Sequence, residues 1–153
     1  MEAPISGQEQ RLTFRLLSYW NRIRGSRAMP SLSDVNISEI TEIWHFTFTI
    51  DLLDPQGRRF QYFGPSLASV FGQDYTGEYL ADVMEQDGGM LANTIGFYEK
   101  VIEKGEPALE AASFYSEGNE VRYRSIIVPL SSDGKTIDYL VGTTNYKVFT
   151  PGE

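Results

Sequence analysis

Apolar and polar residues recur with two different periods along this chain, and the changes of period mark out its elements. From Gln10 to Arg24, Leu12, Leu16, Tyr19 and Ile23 fall at i, i+4, i+7 and i+11, with Leu17 and Trp20 widening the stripe. That spacing predicts a helix stopped by Gly25. Arg11, Arg15 and Arg22 share another face, so the helix is amphipathic with a cationic side and needs an apolar surface to lie on. The polar stretch from Pro30 to about Ile43 reads as an irregular connection in which Ser33 or Ser38 can cap a short turn. Then His45 to Leu52 alternates strictly, placing Phe46, Phe48, Ile50 and Leu52 on one face of a strand and Asp51 on the other. Asp54-Pro55-Gln56-Gly57 is turn chemistry, and Arg59 to Phe63 returns as the second strand of a hairpin.

After Gly64-Pro65 the period lengthens. Leu67, Val70 and Phe71 predict a short helix ended by Gly72, and another short segment runs from Tyr79 to Met84. The strongest helical pattern spans Gly88 to Lys104: Leu91, Ile95, Tyr98 and Ile102 repeat at 4, 3, 4, Asp87 can cap the front, and Gly105 with Pro107 ends it. Three strands follow, at about 108–115, 121–130 and 137–146, separated by Ser116-Glu117-Gly118-Asn119 and Ser132-Asp133-Gly134-Lys135. Two strands, a block of helices and three strands predict an α+β fold with a five-stranded antiparallel sheet. Strands four and five carry apolar residues at both parities, so both faces of the sheet need covering. The helix block serves one face, and the N-terminal helix, from the same chain or from a second copy, serves the other. The expected organisation is a tail over residues 1–9, the amphipathic helix over 10–27 and one compact domain over 28–149.

Composition narrows the chemistry. The chain has 153 residues and no cysteine, which removes disulfides, thiolate nucleophiles, thiolate metal sites and photochemistry through a cysteinyl adduct. The net charge of −8 argues against nucleic-acid binding, but it is uneven: residues 1–28 carry net +3 and the remainder −11. No segment has the length and apolarity of a membrane span, which points to a cytoplasmic protein. Aromatic residues make up 13% of the chain, and a set including Phe46, Phe48, Phe71, Tyr98 and Tyr139 either fills the core or lines a small apolar cavity.

Several local runs resemble a bacterial family of free-standing PAS-domain proteins. They are Tyr19-Trp20-Asn21-Arg22-Ile23-Arg24-Gly25 with Pro30, Arg59-Phe60-Gln61-Tyr62, Phe71-Gly72-Gln73-Asp74-Tyr75-Thr76-Gly77, and Val128-Pro129-Leu130-Ser131-Ser132-Asp133-Gly134. Leu32, Ile37 and a short connection after Tyr62 depart from the family pattern. The resemblance implies a PAS-like sensory or protein-interaction domain of bacterial signalling, without catalytic residues and often self-associating.

The expected ligand-binding residues are Phe46, Phe48, Phe71, Tyr98 and Tyr139, and the expected dimer seam is Leu16, Tyr19, Trp20 and Ile23. A small apolar ligand, a homodimer and a signalling partner such as a kinase are the expected partners; no cofactor, metal, nucleic acid or membrane is expected. The arginine stripe can dock on an acidic partner or on the protein's own acidic body. Two other readings stand beside the sensory one: a ligand-free dimeric adaptor, and an enzyme in which Asp51 or the lone His45 abstracts a proton. Asp82, Glu85 and Asp87 lack the spacing of a calcium loop, and Gly88-Gly89 has no phosphate-binding Lys after it.

Overall fold

The computed structural model describes residues 11–86 and 90–152; the expected tail and the Asp87 cap lie outside them. Helix α1 (Leu12–Arg24) ends where Gly25 takes φ 62°, and two 3-10 turns follow, Leu32–Asp34 and Ile37–Glu39. Their N-terminal residues are Ser31 and Asn36 rather than Ser33 or Ser38: the Ser31 N–H donates to Asp34 Oδ2 at 2.8 Å, and Asn36 Oδ1 accepts from the Ser38 N–H at 3.1 Å. A single turn, α2 (Thr41–Trp44), leads into β1 (Thr47–Asp51) and β2 (Arg59–Phe63). Helices α3 (Pro65–Phe71), α4 (Leu80–Gln86), α5 (Met90–Ile95) and α6 (Tyr98–Lys104) then precede β3 (Ala108–Ser116), β4 (Asn119–Leu130) and β5 (Tyr139–Phe149).

The strands make one antiparallel sheet in the order β2-β1-β5-β4-β3. Early and late strands therefore meet at β1 and β5, where Phe48 lies opposite Gly142. A Cβ at Gly142 would come within 2.2 Å of the Phe48 ring, so the missing side chain makes room for that aromatic.

Residues of opposite parity build two cores. Phe48, Ile50, Phe60, Phe63, Ile127 and Leu140 join buried residues of α3 to α6 on one face. Ile126, Val128, Leu130 and Val141 meet Leu16, Tyr19 and Trp20 of α1 on the other, with Ile40 and Ile43 beside them. Adjacent residues of one strand, such as Leu140 and Val141, thus serve opposite cores, as strand geometry requires. Ile137 packs against both.

The helix expected over Gly88 to Lys104 is two helices among the described residues. Gly96 and Phe97 separate α5 from α6, and Phe97 adopts φ −77° and ψ 5°. The break moves the buried stripe from Leu91 and Ile95 to Phe97 and Val101, which leaves Tyr98 and Ile102 only partly buried. A glycine costs a helix interior about 1 kcal/mol relative to alanine, so the chain bends there most readily.

Candidate functional site

The face covered by α3 to α6 is built on rings. Phe60 contacts Phe48 edge-on at a centroid distance of 6.0 Å and Phe63 at 5.2 Å; Phe63 continues to Phe71 at 5.6 Å, and Phe71 to Tyr146 at 5.7 Å. Tyr75 closes the group against Phe60, Phe63 and Phe71. Edge-to-face pairs of this kind add roughly 0.5–1.5 kcal/mol beyond their buried area. Phe60 and Phe63 share this core although they are three residues apart in a strand. The register explains it: Thr49 pairs with Tyr62 and Ile50 with Phe60, so Gln61 is an extra residue in β2. A bulge of that kind restores two rings to one face.

Of the expected ligand-binding residues, the structure brings Phe48, Phe71 and Tyr98 to this core. Tyr98 sits at its rim, where its hydroxyl accepts from Arg58 Nη1 at 3.2 Å beside the Arg58–Glu99 ion pair. The other two lie elsewhere. Tyr139 has the parity of Val141 and packs with the α1 core. Phe46 belongs to neither core, because its N–H closes the turn after α2 by donating to the Ile43 carbonyl at 3.0 Å, ahead of the strand. Phe60, Phe63, Tyr75 and Tyr146 complete the aromatic group and were not among the expected site residues. The three-residue spacing of Phe60 and Phe63 inside a strand was the signal for the first two.

The expected seam residues line the second core. Leu16, Tyr19 and Trp20 are buried against the chain's own sheet, and Trp20 Nε1 donates to the Pro129 carbonyl at 2.7 Å. An interface made by these side chains would require α1 to leave that sheet. The space remaining among Leu16, Tyr19, Trp20, Ile23 and Val128 is about 10 Å³, at the lower limit for one water molecule. The arginines of α1 meet the acidic body of the same chain: Arg15 pairs with Glu42, Arg22 with Glu39 at 3.3 Å, and Arg27, just beyond the helix, with Asp34 at 2.9 Å. The Ser31 N–H, helped by Arg27 and the Ser31 hydroxyl, holds the Asp34 carboxyl below its ordinary pKa.

His45 is exposed, and its backbone carbonyl accepts from the Ser66 N–H at 2.9 Å. Asp51 accepts from the Leu53 N–H at 2.7 Å and lies 3.7 Å from Arg59, on the face opposite Ile50. Next to it Asp54 is held below its ordinary pKa by the Gln56 N–H, the Tyr79 hydroxyl and Arg59, and in return it pushes Tyr79 up. These groups lock the β1–β2 turn. Among the described residues no three acidic or histidine side chains are grouped to hold a metal, and no helix is long and apolar enough to cross a membrane.

A five-stranded antiparallel sheet roofed by short helices, with an aromatic core between, defines a PAS-like α+β domain. The family model described as PAS domain matches residues 8–145, and the chain belongs to that family. Solved structures share the fold. A Rhodobacter sphaeroides LOV protein aligns at 11% identity over 73% of this chain and 68% of its own, with TM-score 0.50. A light-oxygen-voltage domain described with a flavin analogue aligns at 13% identity over 72% and 83%, with TM-score 0.54. A variant of Vivid aligns at 14% identity over 95% and 99%, with TM-score 0.51. No curated protein matches the chain.

The residues of this chain do not fit a flavin. The ring edge of a flavin needs amide or similar side chains aimed into the core, and among the described residues no Asn or Gln is buried. Several buried hydroxyls are engaged within the chain: Thr94 donates to Met90, Thr47 to Ile43, Thr143 to Phe46, and Ser125 pairs with Thr144.

Proposed function

We propose that this protein is a non-enzymatic PAS-like domain of bacterial signal transduction. In this reading it admits a small apolar ligand between the sheet and α3 to α6, at Phe48, Phe71 and Tyr98, and responds through the docking of α1 and through self-association or partner binding. The observation that carries the proposal is the contrast in how the two faces are closed. The aromatic core is roofed, among the described residues, by four separate helices of six or seven residues, whereas directly beneath α1 about 10 Å³ remains, and the open space on that side is a groove at the surface between α1 and residues 40–43. β4 and β5 contribute to both cores through neighbouring residues, so a ligand that spreads one face changes the surface offered to α1 on the other. Such a ligand acts only as far as it binds one arrangement of α1 better than the other.

Native mass spectrometry of protein purified from its natural host tests the reading. The expected result is a retained small molecule whose binding weakens on Phe71→Ala substitution. Protein that is consistently empty, with α1 docking unaffected by any apolar compound soaked in, contradicts it and leaves the adaptor reading.

A further inference from the structure

The two edges of the sheet are closed differently. β2 is five residues long, and the outer side of its backbone is already used: Phe60 N–H donates to the Glu78 carbonyl at 2.9 Å, Leu80 N–H to Arg58 at 2.9 Å and Gly77 N–H to Phe60 at 2.8 Å. β3 is nine residues long, pairs with β4 in unbroken register and, among the described residues, has no strand on its other side. Its sequence, Ala-Leu-Glu-Ala-Ala-Ser-Phe-Tyr-Ser, contains one charge and no Lys, Arg or Pro, so it lacks the usual devices that stop an edge from pairing.

The β3–β4 turn defines which groups face outward. Its two central residues, Glu117 and Gly118, have φ 53° and 83°, the two-residue hairpin geometry in which the flanking pair, Ser116 and Asn119, is hydrogen-bonded. Alternation along the ladder then turns the N–H and C=O groups of Leu109, Ala111, Ser113 and Tyr115 away from β4.

We propose that this free edge joins two copies of the chain, β3 against β3, antiparallel about a twofold axis at Ala112. This names the surface for the self-association proposed above and rests on that part of the reading alone. The register is singled out by three coincidences. It overlaps all nine residues. It sets outward-facing Leu109 against Tyr115 and Ala111 against Ser113 of the other copy, so outward donors meet outward acceptors. It also buries together the two large apolar side chains the strand leaves in solvent, Leu109 at 51% and Tyr115 at 76% exposure, and does so twice. Glu110 faces Phe114 of the second copy, which keeps the two carboxylates about four residues, roughly 14 Å, apart along the strands and beyond the screening length at physiological salt. A register centred on Glu110 would oppose them directly.

Because the chain is free of cysteine, Ala112→Cys gives a clean test. At the twofold the two positions form a non-hydrogen-bonded pair with Cα atoms about 4.5 Å apart, close enough for a disulfide. Mild oxidation of full-length protein is expected to link this variant rapidly, while Leu53→Cys, beyond β1 and three strands from the edge, stays slow. Ser113→Pro removes one outward N–H per copy and is expected to weaken dimerisation about tenfold or more by sedimentation, with circular dichroism unchanged. A chain that stays monomeric at high micromolar concentration overturns the proposal. So does a dimer indifferent to Ser113→Pro, or one whose Ala112→Cys variant links no faster than Leu53→Cys. Those outcomes leave ligand sensing standing, since it is read by the retained small molecule.

Discussion

The sheet has one set of strands and two unlike cores. On one face, rings from β1, β2, α3 and the segment after it lock edge to face, and Phe48, Phe60, Leu67, Leu80 and Leu91 are almost wholly buried. On the other face a single 13-residue helix lies on β4 and β5, held by an apolar stripe, one indole hydrogen bond and ion pairs at the surface. Exposed ion pairs of this kind contribute at most about 1 kcal/mol each. The aromatic core ties together segments distant in sequence, so its strands and rings come fully apart only when the domain unfolds, even where the short helices over it shift. The α1 core joins one terminal helix to the rest, and its opening leaves the sheet intact. That difference makes the aromatic face the more stable one and α1 the cover that is easier to release.

The comparison can be broken most forcefully at Phe60. Phe60→Ala is expected to cost about 3–5 kcal/mol in denaturant unfolding, because the ring touches three other aromatics and leaves a cavity they cannot fill; a loss below 1 kcal/mol would mean that the ring cluster is not the stable half. Gly142→Ala comes next, at about 1–3 kcal/mol, since the new methyl meets the Phe48 ring and must displace it. Trp20→Phe keeps most of the apolar contact and removes the donor to Pro129, so about 1–2 kcal/mol is expected, seen as loosening of α1 ahead of global unfolding. The smallest effect is on the acid limb. Asp34 has its pKa lowered in the folded state, so its stabilisation is present above the ordinary carboxylate value of 3.8 and is lost as pH falls through the folded value. In Asp34→Asn the melting temperature should lose part of that dependence below about pH 4, and an unchanged acid limb would show that the Arg27–Asp34 contact does not brace the α1 side.

Much of this arrangement was legible in the sequence wherever one residue type had one plausible use. Gly25 had to end the first helix, Glu117-Gly118 had to turn a hairpin, and the double parity of β4 and β5 demanded two covers, one of them left to the N-terminal helix. The rest was hidden where a local pattern fitted two structures. Leu91, Ile95, Tyr98 and Ile102 satisfy a continuous helix, and only the packing of Phe97 and Val101 reveals the break at Gly96. Phe46 continues the alternation of β1 on paper, but the turn from α2 claims its backbone first. The aromatic site was half legible for a related reason: Tyr139 looked like a partner of Phe48 until the register gave its neighbour Leu140 to that core.

Native-state hydrogen exchange separates an α1 cover that opens on its own from one that opens only with the aromatic core. Amides of α1 are expected to exchange through an opening of lower free energy than those of Phe48, Phe60 and Ile127, with a gap that Trp20→Phe widens. Equal exchange free energies in α1 and in the central strands, lost together with rising denaturant, would make the two faces one cooperative unit and contradict the separate opening of α1.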